Sequence, residues 1–300
     1  MTRKSIGLTL VAFFFLSLPL HAQVTLAWKF EEGETLYIEN IEVQKMSLDY
    51  QDNKTKETKK NKQDTVTTTI SSLKVQKNTA LGTILDIKVE SLKTMVNGKE
   101  AAGDAKMAEK IKGSVFTITL NPAGRITKLE GYEDYIQKLA DGDEAKEKVA
   151  RASFPEEALR KSLEDSFNFL PGRPVNKGDS WKQDAVVPMG LFGSFKVVKT
   201  YSYQGKGEGG DAIVFASAMT YMPPTGEGAV VKVVKGSLKA EEGKGTFLFD
   251  SAKGRLIKGG NHLVIKGALT VEIMNMQQNM ELAVDLTTTI RILDKNPLQK

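Results

Sequence analysis

Apolar residues alternate with polar ones along most of this chain, at the period of two that belongs to a strand with one buried and one wet face. The clearest case is Thr83–Leu92, where Leu85, Ile87 and Val89 alternate with Asp86, Lys88 and Glu90. Phe116, Ile118 and Leu120 repeat the pattern, and Leu282, Val284, Leu286, Ile290 and Ile292 share one parity near the end of the chain. Further strands are predicted over Val24–Phe30, Thr35–Tyr50, Asp64–Val75, Phe195–Tyr203, Ala212–Tyr221, Ala229–Leu238, Thr246–Asp250, Gly254–Ile257, Asn261–Met274 and Met280–Leu293. Turn residues separate them: Asn97-Gly98, Asn121-Pro122-Ala123-Gly124, the glycines of 205–210, and Pro223-Pro224-Thr225-Gly226. Many short strands between Gly, Pro and Asn turns predict a mainly β, β-rich α+β fold: a curved antiparallel sheet or half-barrel.

A helical period appears in one region. Ala101–Lys112 favours helix by composition, and Tyr132–Ala140 and Glu144–Ala152 follow. Ser153-Phe154-Pro155-Glu156 has the form of a helix start, a capping serine with proline in the first turn and glutamate three residues on. The helix it opens carries Leu159, Leu163 and Phe167 on one stripe and is expected to stop near Phe169-Leu170, before Pro171 and Gly172. These segments read as a cover over the sheet. The organisation is then a leader over 1–22, a β-rich half over 23–131, a helical segment over 132–169 and a second β-rich half over 170–300, the two halves forming two similar β-units or one domain. An internal echo supports the former: Phe116–Leu120 turning into Gly124-Arg125-Ile126, and Phe247–Asp250 turning into Gly254-Arg255-Leu256.

Charge and composition fix the address. Arg3 and Lys4 precede an apolar run, Ile6–Leu20, that is broken at Pro19 and followed by Leu20-His21-Ala22. This order is that of a secretory signal peptide cut before Gln23, shorter than the ~20 apolar residues of a transmembrane helix. Export to the periplasm or the exterior is expected, with no integral membrane segment left after cleavage. The net charge of +5 falls to +3 when the two basic residues of the leader are removed, which gives no case for nucleic acid. A lysine-dense loop, Lys54 to Lys62, reads as a solvated connection.

The chain contains no cysteine, so disulfides, thiolate nucleophiles and cysteine metal sites are excluded. Of its two histidines only His262 lies outside the leader, after Gly259-Gly260-Asn261 and in the position of a turn or strand edge. One histidine supplies neither a triad nor a two-histidine metal site. No phosphate loop or calcium loop occurs, and no cofactor or metal is expected. The residues left as candidates for a ligand-lined surface are Met274, Met276 and Met280, read as one strand face, and Tyr201 and Tyr203 on a concave one; packing in the core is the plainer reading of both groups. Trp181 is expected to be buried against the second half's sheet, with Trp181→Ala costing ~3–5 kcal/mol.

Leu170-Pro171, Pro174-Val175 and Gly178-Asp179-Ser180-Trp181, taken with Trp28-Lys29-Phe30 and Gly33-Glu34, resemble an uncharacterised family of exported bacterial proteins, common in planctomycetes and defined as a domain of unknown function. The resemblance implies export and a β-rich fold but no activity and no site residues. At the level of fold, the expected half-barrel resembles periplasmic lipid and lipoprotein carriers. The expectation is therefore a non-enzymatic exported protein that binds an apolar ligand or an envelope partner through a concave sheet. The alternatives are a structural envelope protein without a small ligand and, third, a hydrolase using two facing carboxylates.

Overall fold

The computed structural model describes residues 23–51, 57–100, 102–189, 192–224, 231–273 and 276–299. The leader over 1–22 and Met274 lie outside the described residues. The β-rich expectation holds: one antiparallel sheet of 13 strands, not closed into a barrel, carries a short central helical segment.

The first half contributes β1 (Thr35–Gln51), β2 (Thr58–Thr79), β3 (Gly82–Val96), β4 (Lys99–Glu100), β5 (Val115–Leu120) and β6 (Ile126–Glu130). The helices are α1 (Ala102–Ile111), α2 (Tyr132–Ala140), α3 (Glu144–Ser153) and α4 (Glu156–Asp165). The second half contributes β7 (Ser180–Pro188), β8 (Ser194–Gly207), β9 (Gly210–Met222), β10 (Val231–Gly236), β11 (Lys239–Asp250), β12 (Arg255–Ile273) and β13 (Met276–Leu293). Their order in the sheet is β6-β5-β3-β2-β1-β13-β12-β11-β9-β8-β7, with β4 beside β3 and β10 beside β12. The chain thus meanders from the centre to one edge, crosses through the helices to the other edge, and meanders back. Its first and last strands meet at the centre, where Tyr37 pairs with Leu293 and Tyr50 with Met280. The echoed hairpins are β5–β6 and β11–β12. At their turns Asn121 and Asp250 each accept two backbone N–H groups with a side-chain oxygen, Asn121 from Ala123 and Arg125, Asp250 from Ala252 and Lys253.

Register sorts the side chains into two faces. The inner face holds two apolar clusters in the C-terminal wing. Near one end of the strands are Phe195, Val197, Leu263, Ile265, Met280, Leu282 and Val284. Near the other are Tyr201, Tyr203, Ile213, Phe215, Phe249 and Leu256. Between them runs a half-buried polar belt in which register aligns Lys199 with Ser217, and Asn261 with Thr288 and Glu42. Burial raises the pKa of the Glu42 carboxyl and lowers that of the Lys199 ammonium, in the latter case against the pull of Asp165. In the N-terminal wing, Leu73, Val75, Leu85, Ile87, Ile118 and Leu120 form the inner face.

A plug of aromatic residues closes the second cluster. Trp28 packs its ring against Phe30, Phe167, Phe169 and Phe249, at centroid distances of 5.8, 5.7, 5.6 and 5.5 Å. Its Nε1 donates to the carbonyl of Phe167 (2.7 Å), while Trp181 Nε1 donates to the carbonyl of Phe169 (3.0 Å). The two indoles therefore clip one short stretch of backbone. Phe215 and Phe247 complete the plug because glycines make room for them: a Cβ on Gly245 would collide with the Phe215 ring, and one on Gly259 with that of Phe247.

Several local expectations give way. Val24–Phe30 is not a strand; it makes a single bridge, Val24 to Val175, and runs extended through the plug because Leu26 buries there and Trp28 packs against the same cluster. Ser153 closes α3 instead of capping α4, whose N-cap is Pro155 with no side-chain cap, and α4 ends at Asp165. Lys59, Lys60 and Lys62 belong to β2, which is longer than expected. Gly259-Gly260-Asn261 is no turn: β12 runs unbroken through it, and His262 sits mid-strand with Nε2 2.9 Å from Asp285. Trp181 is only half-buried, stacked on Tyr201 at 5.7 Å.

Candidate functional site

The residues singled out from the sequence do not converge. Tyr201 and Tyr203 are buried in the plugged cluster. The Tyr203 hydroxyl donates to Asp211 (2.6 Å), a carboxylate only 1% exposed, and burial first, then this carboxylate, raises the tyrosine's pKa. Burial likewise raises that of Tyr201. Met280 packs in the other cluster, whereas Met276 is exposed at the start of β13. Both clusters lie on the inner face, the one on which the sequence places a ligand.

Shallow polar concavities lie over the central strands β1, β2, β12 and β13, and two more are built around the helices. The first is a groove on the outside of the helical layer. α2 and α3 bury Tyr132, Ile136, Leu139 and Ala150 toward Val89 and Leu92 of β3. What these helices leave outside is a groove of about 500 Å³ lined by Met107, Leu139, Val149, Ala150 and Phe154, with Lys110 and Lys146 at the rim. Met107, Val149 and Phe154 are 41%, 66% and 42% exposed. That is an unusual concentration of large apolar groups in water. The groove's walls are fixed. Arg151 bonds Glu133 on α2 (2.6 Å) and Glu147 on α3 (2.7 Å). Tyr132 donates to the Phe154 carbonyl (2.9 Å), and the Phe154 ring meets Tyr135 edge-on at 5.9 Å. Asp143 caps α3 by accepting the N–H groups of Ala145 and Lys146, and those bonds hold its carboxyl below the usual range. Lys110 reaches Asp141 (3.1 Å), tying α1 to the end of α2. No periodicity marks this groove in the sequence. Val149 falls there within the segment Glu144–Ala152, and Phe154 within the start signature of the next helix.

The second is a cleft of about 790 Å³ between α4 with the β5–β6 turn and the edge strand β7. It is bounded by Pro122, Ala123 and Arg125 of the β5–β6 turn, by α4 and by Leu170–Gly172, and on its far side by Trp181–Asp184 of β7. Among the described residues no group of three or more His, Asp or Glu side chains is placed to hold a metal ion, and no helix is long and apolar enough to cross a membrane.

Residues 61–254 match a family of unknown function, DUF6263. No curated protein matches the chain. Similar solved structures include DynF from the dynemicin biosynthesis pathway of Micromonospora chersina, 10% identical over 98% of this chain and 96% of that one with a TM-score of 0.22. Another is the COG4313 outer membrane channel from Pseudomonas putida F1, 10% identical over 89% of this chain and 98% of that one with a TM-score of 0.25. Overlap this low carries no argument about function.

Proposed function

The chain belongs to the DUF6263 family, and we propose that it is an exported, non-enzymatic protein that binds an apolar ligand of the acyl-chain class in the helical groove. The observation that carries this reading is the exposure of Met107, Val149 and Phe154 around one concavity of about 500 Å³. Small-molecule sites are concave, mostly apolar and preformed. Methionine on such a surface adapts to ligands of varying shape. Lys110 and Lys146 border the groove with their charges already engaged by Asp141 (3.1 Å) and Asp143 (3.6 Å), so the apolar lining carries the binding. Export rests on Arg3, Lys4 and the apolar run Ile6–Leu20. Mass spectrometry of the protein recovered from a cell envelope fraction tests it: an N-terminus at Gln23 is the expected result.

The binding test is titration with a fluorescent fatty acid. Saturable binding is expected, and Val149→Glu abolishes it without changing the melting temperature, because Val149 is mostly in water already. Equal binding by the variant, or no saturable binding by the native protein, rejects the groove as the ligand site.

A further inference from the structure

The open sheet has two edges, and they are treated differently. At β6 the backbone of Ile126 is covered: its N–H donates to Glu164 of α4 (3.0 Å), and its carbonyl accepts from Arg160 of the same helix (3.3 Å). At β7 no such cover exists among the described residues. The N–H of Tyr203 bonds the carbonyl of Asp179 (3.0 Å), and at the far end Met189 N–H bonds Gly193 (2.8 Å). Odd-numbered residues thus face the β8 ladder, and antiparallel alternation turns the N–H and C=O groups of Ser180, Lys182, Asp184 and Val186 to the outside. Of these groups only the Ser180 carbonyl has a partner among the described residues, Arg173 at 3.5 Å. Pro188, with no N–H, ends the free edge.

The cleft lies along this edge. Trp181, Lys182, Gln183 and Asp184 line it consecutively. Successive strand residues point to opposite faces, so four in a row share one cavity only along the strand's edge. We infer that β7 is a strand-addition site, taking an extended segment of another protein into the space between β7 and the wall formed by α4 and the β5–β6 turn. Main-chain bonds to Lys182 and Asp184 supply the affinity. Charge selects the segment: Arg125, Lys161 and Lys182 outnumber Glu164 and Asp184 along the cleft, and Arg125 and Lys182, on opposite walls, are not ion-paired among the described residues. Cross-strand pairing then favours acidic side chains in the incoming strand.

The experiment uses the whole mature chain and three synthetic peptides: Ac-Val-Glu-Val-Glu-Val-NH2, its lysine counterpart, and a copy of the first with alternate amides N-methylated. Amide hydrogen exchange is read at Lys182, Asp184 and Val186. The acidic peptide is expected to slow exchange there at least tenfold, the lysine peptide to bind at least tenfold more weakly, and the N-methylated copy not to protect. Asp184→Pro removes an outward N–H while sparing the β8 ladder, and is expected to lose the acidic peptide by tenfold or more. If that variant does not fold, the N-methylated copy on the native protein decides. Equal binding by the N-methylated copy, no protection at millimolar peptide, or a dimer that forms through β7 without peptide overturns the inference. Equal binding of the lysine peptide overturns its acidic specificity.

Discussion

Replacing Trp28 by alanine tests the account of how the sheet's inner face is closed. The indole touches four aromatic rings and donates one hydrogen bond to a residue that is itself buried. Removing a large aromatic side chain from such a site costs about 3–5 kcal/mol. Each ring pair is worth ~0.5–1.5 kcal/mol beyond area, though four that share one ring do not add. The Phe167 carbonyl also loses its partner, about 1–3 kcal/mol if water does not reach it. Trp28→Phe separates the contributions: it keeps a ring in the plug and drops only the donor, at about 1–2 kcal/mol. Trp181 makes the companion bond and is half-buried as Trp28 is, but it stacks on one ring where Trp28 meets four. Trp181→Ala therefore costs roughly 1–3 kcal/mol. Urea unfolding followed by far-ultraviolet circular dichroism measures all three, without relying on the removed fluorophore. The expected order is Trp28→Ala above both others. A Trp28→Ala protein within about 1 kcal/mol of the native one, or more stable than Trp181→Ala, refutes the plug as a stabilising element.

Gly245→Ala would place a Cβ against both the Phe215 ring and the Gly260 carbonyl oxygen, the latter at 2.5 Å. It is expected to destabilise by about 1–3 kcal/mol in the same assay. Among the described residues, Tyr203→Phe leaves Asp211 with one long bond, from the Ser251 N–H (3.4 Å). The cost is about 1.5–3 kcal/mol at neutral pH. Tyr203's raised pKa means the native protein holds this stability below pH ~10 and loses it as pH rises toward the folded value, so the difference from Tyr203→Phe narrows in alkali. Lys199 has the opposite sign: its folded pKa is depressed, so its charge opposes folding below that value and ceases to do so as pH approaches the ~10.4 of the unfolded chain. Lys199→Met is therefore expected to raise the urea midpoint at neutral pH, by an amount that shrinks in alkali.

Where burial is decided by a strand's own alternation, the sequence is legible. Leu85 and Ile87, Phe116 and Ile118, and Leu282 and Val284 all turn the expected face inward. What cannot be read locally is what a distant residue does to a local rule. Gly259 and Gly260 carry turn chemistry, yet the Phe247 ring lying across Gly259 keeps them in a strand. Val24–Phe30 has strand composition, but Trp28 finds its partners in the plug and the segment pairs at one bridge only. Ser153 has the sequence of a cap, while packing of α3 draws it into that helix. The candidate site was the least legible part. Met276 and Met280 share parity, but one stands at the end of the sheet in water and the other in the core. The exposure of Met107, Val149 and Phe154 depends on how α1, α2 and α3 lie against one another, which no periodicity encodes.

The order of strands also governs when the fold is able to form. Among the described residues the two wings share one ladder route, through β13, which has β1 on one side and β12 on the other. Strand partners from opposite ends of the chain must therefore meet at the middle of the sheet, Tyr37 with Leu293 among them. Such distant closure is slow compared with local hairpins. During synthesis each meander can assemble alone, and the plug can already hold Trp28 against Phe249, but the two ladders become one sheet only once β13 is available.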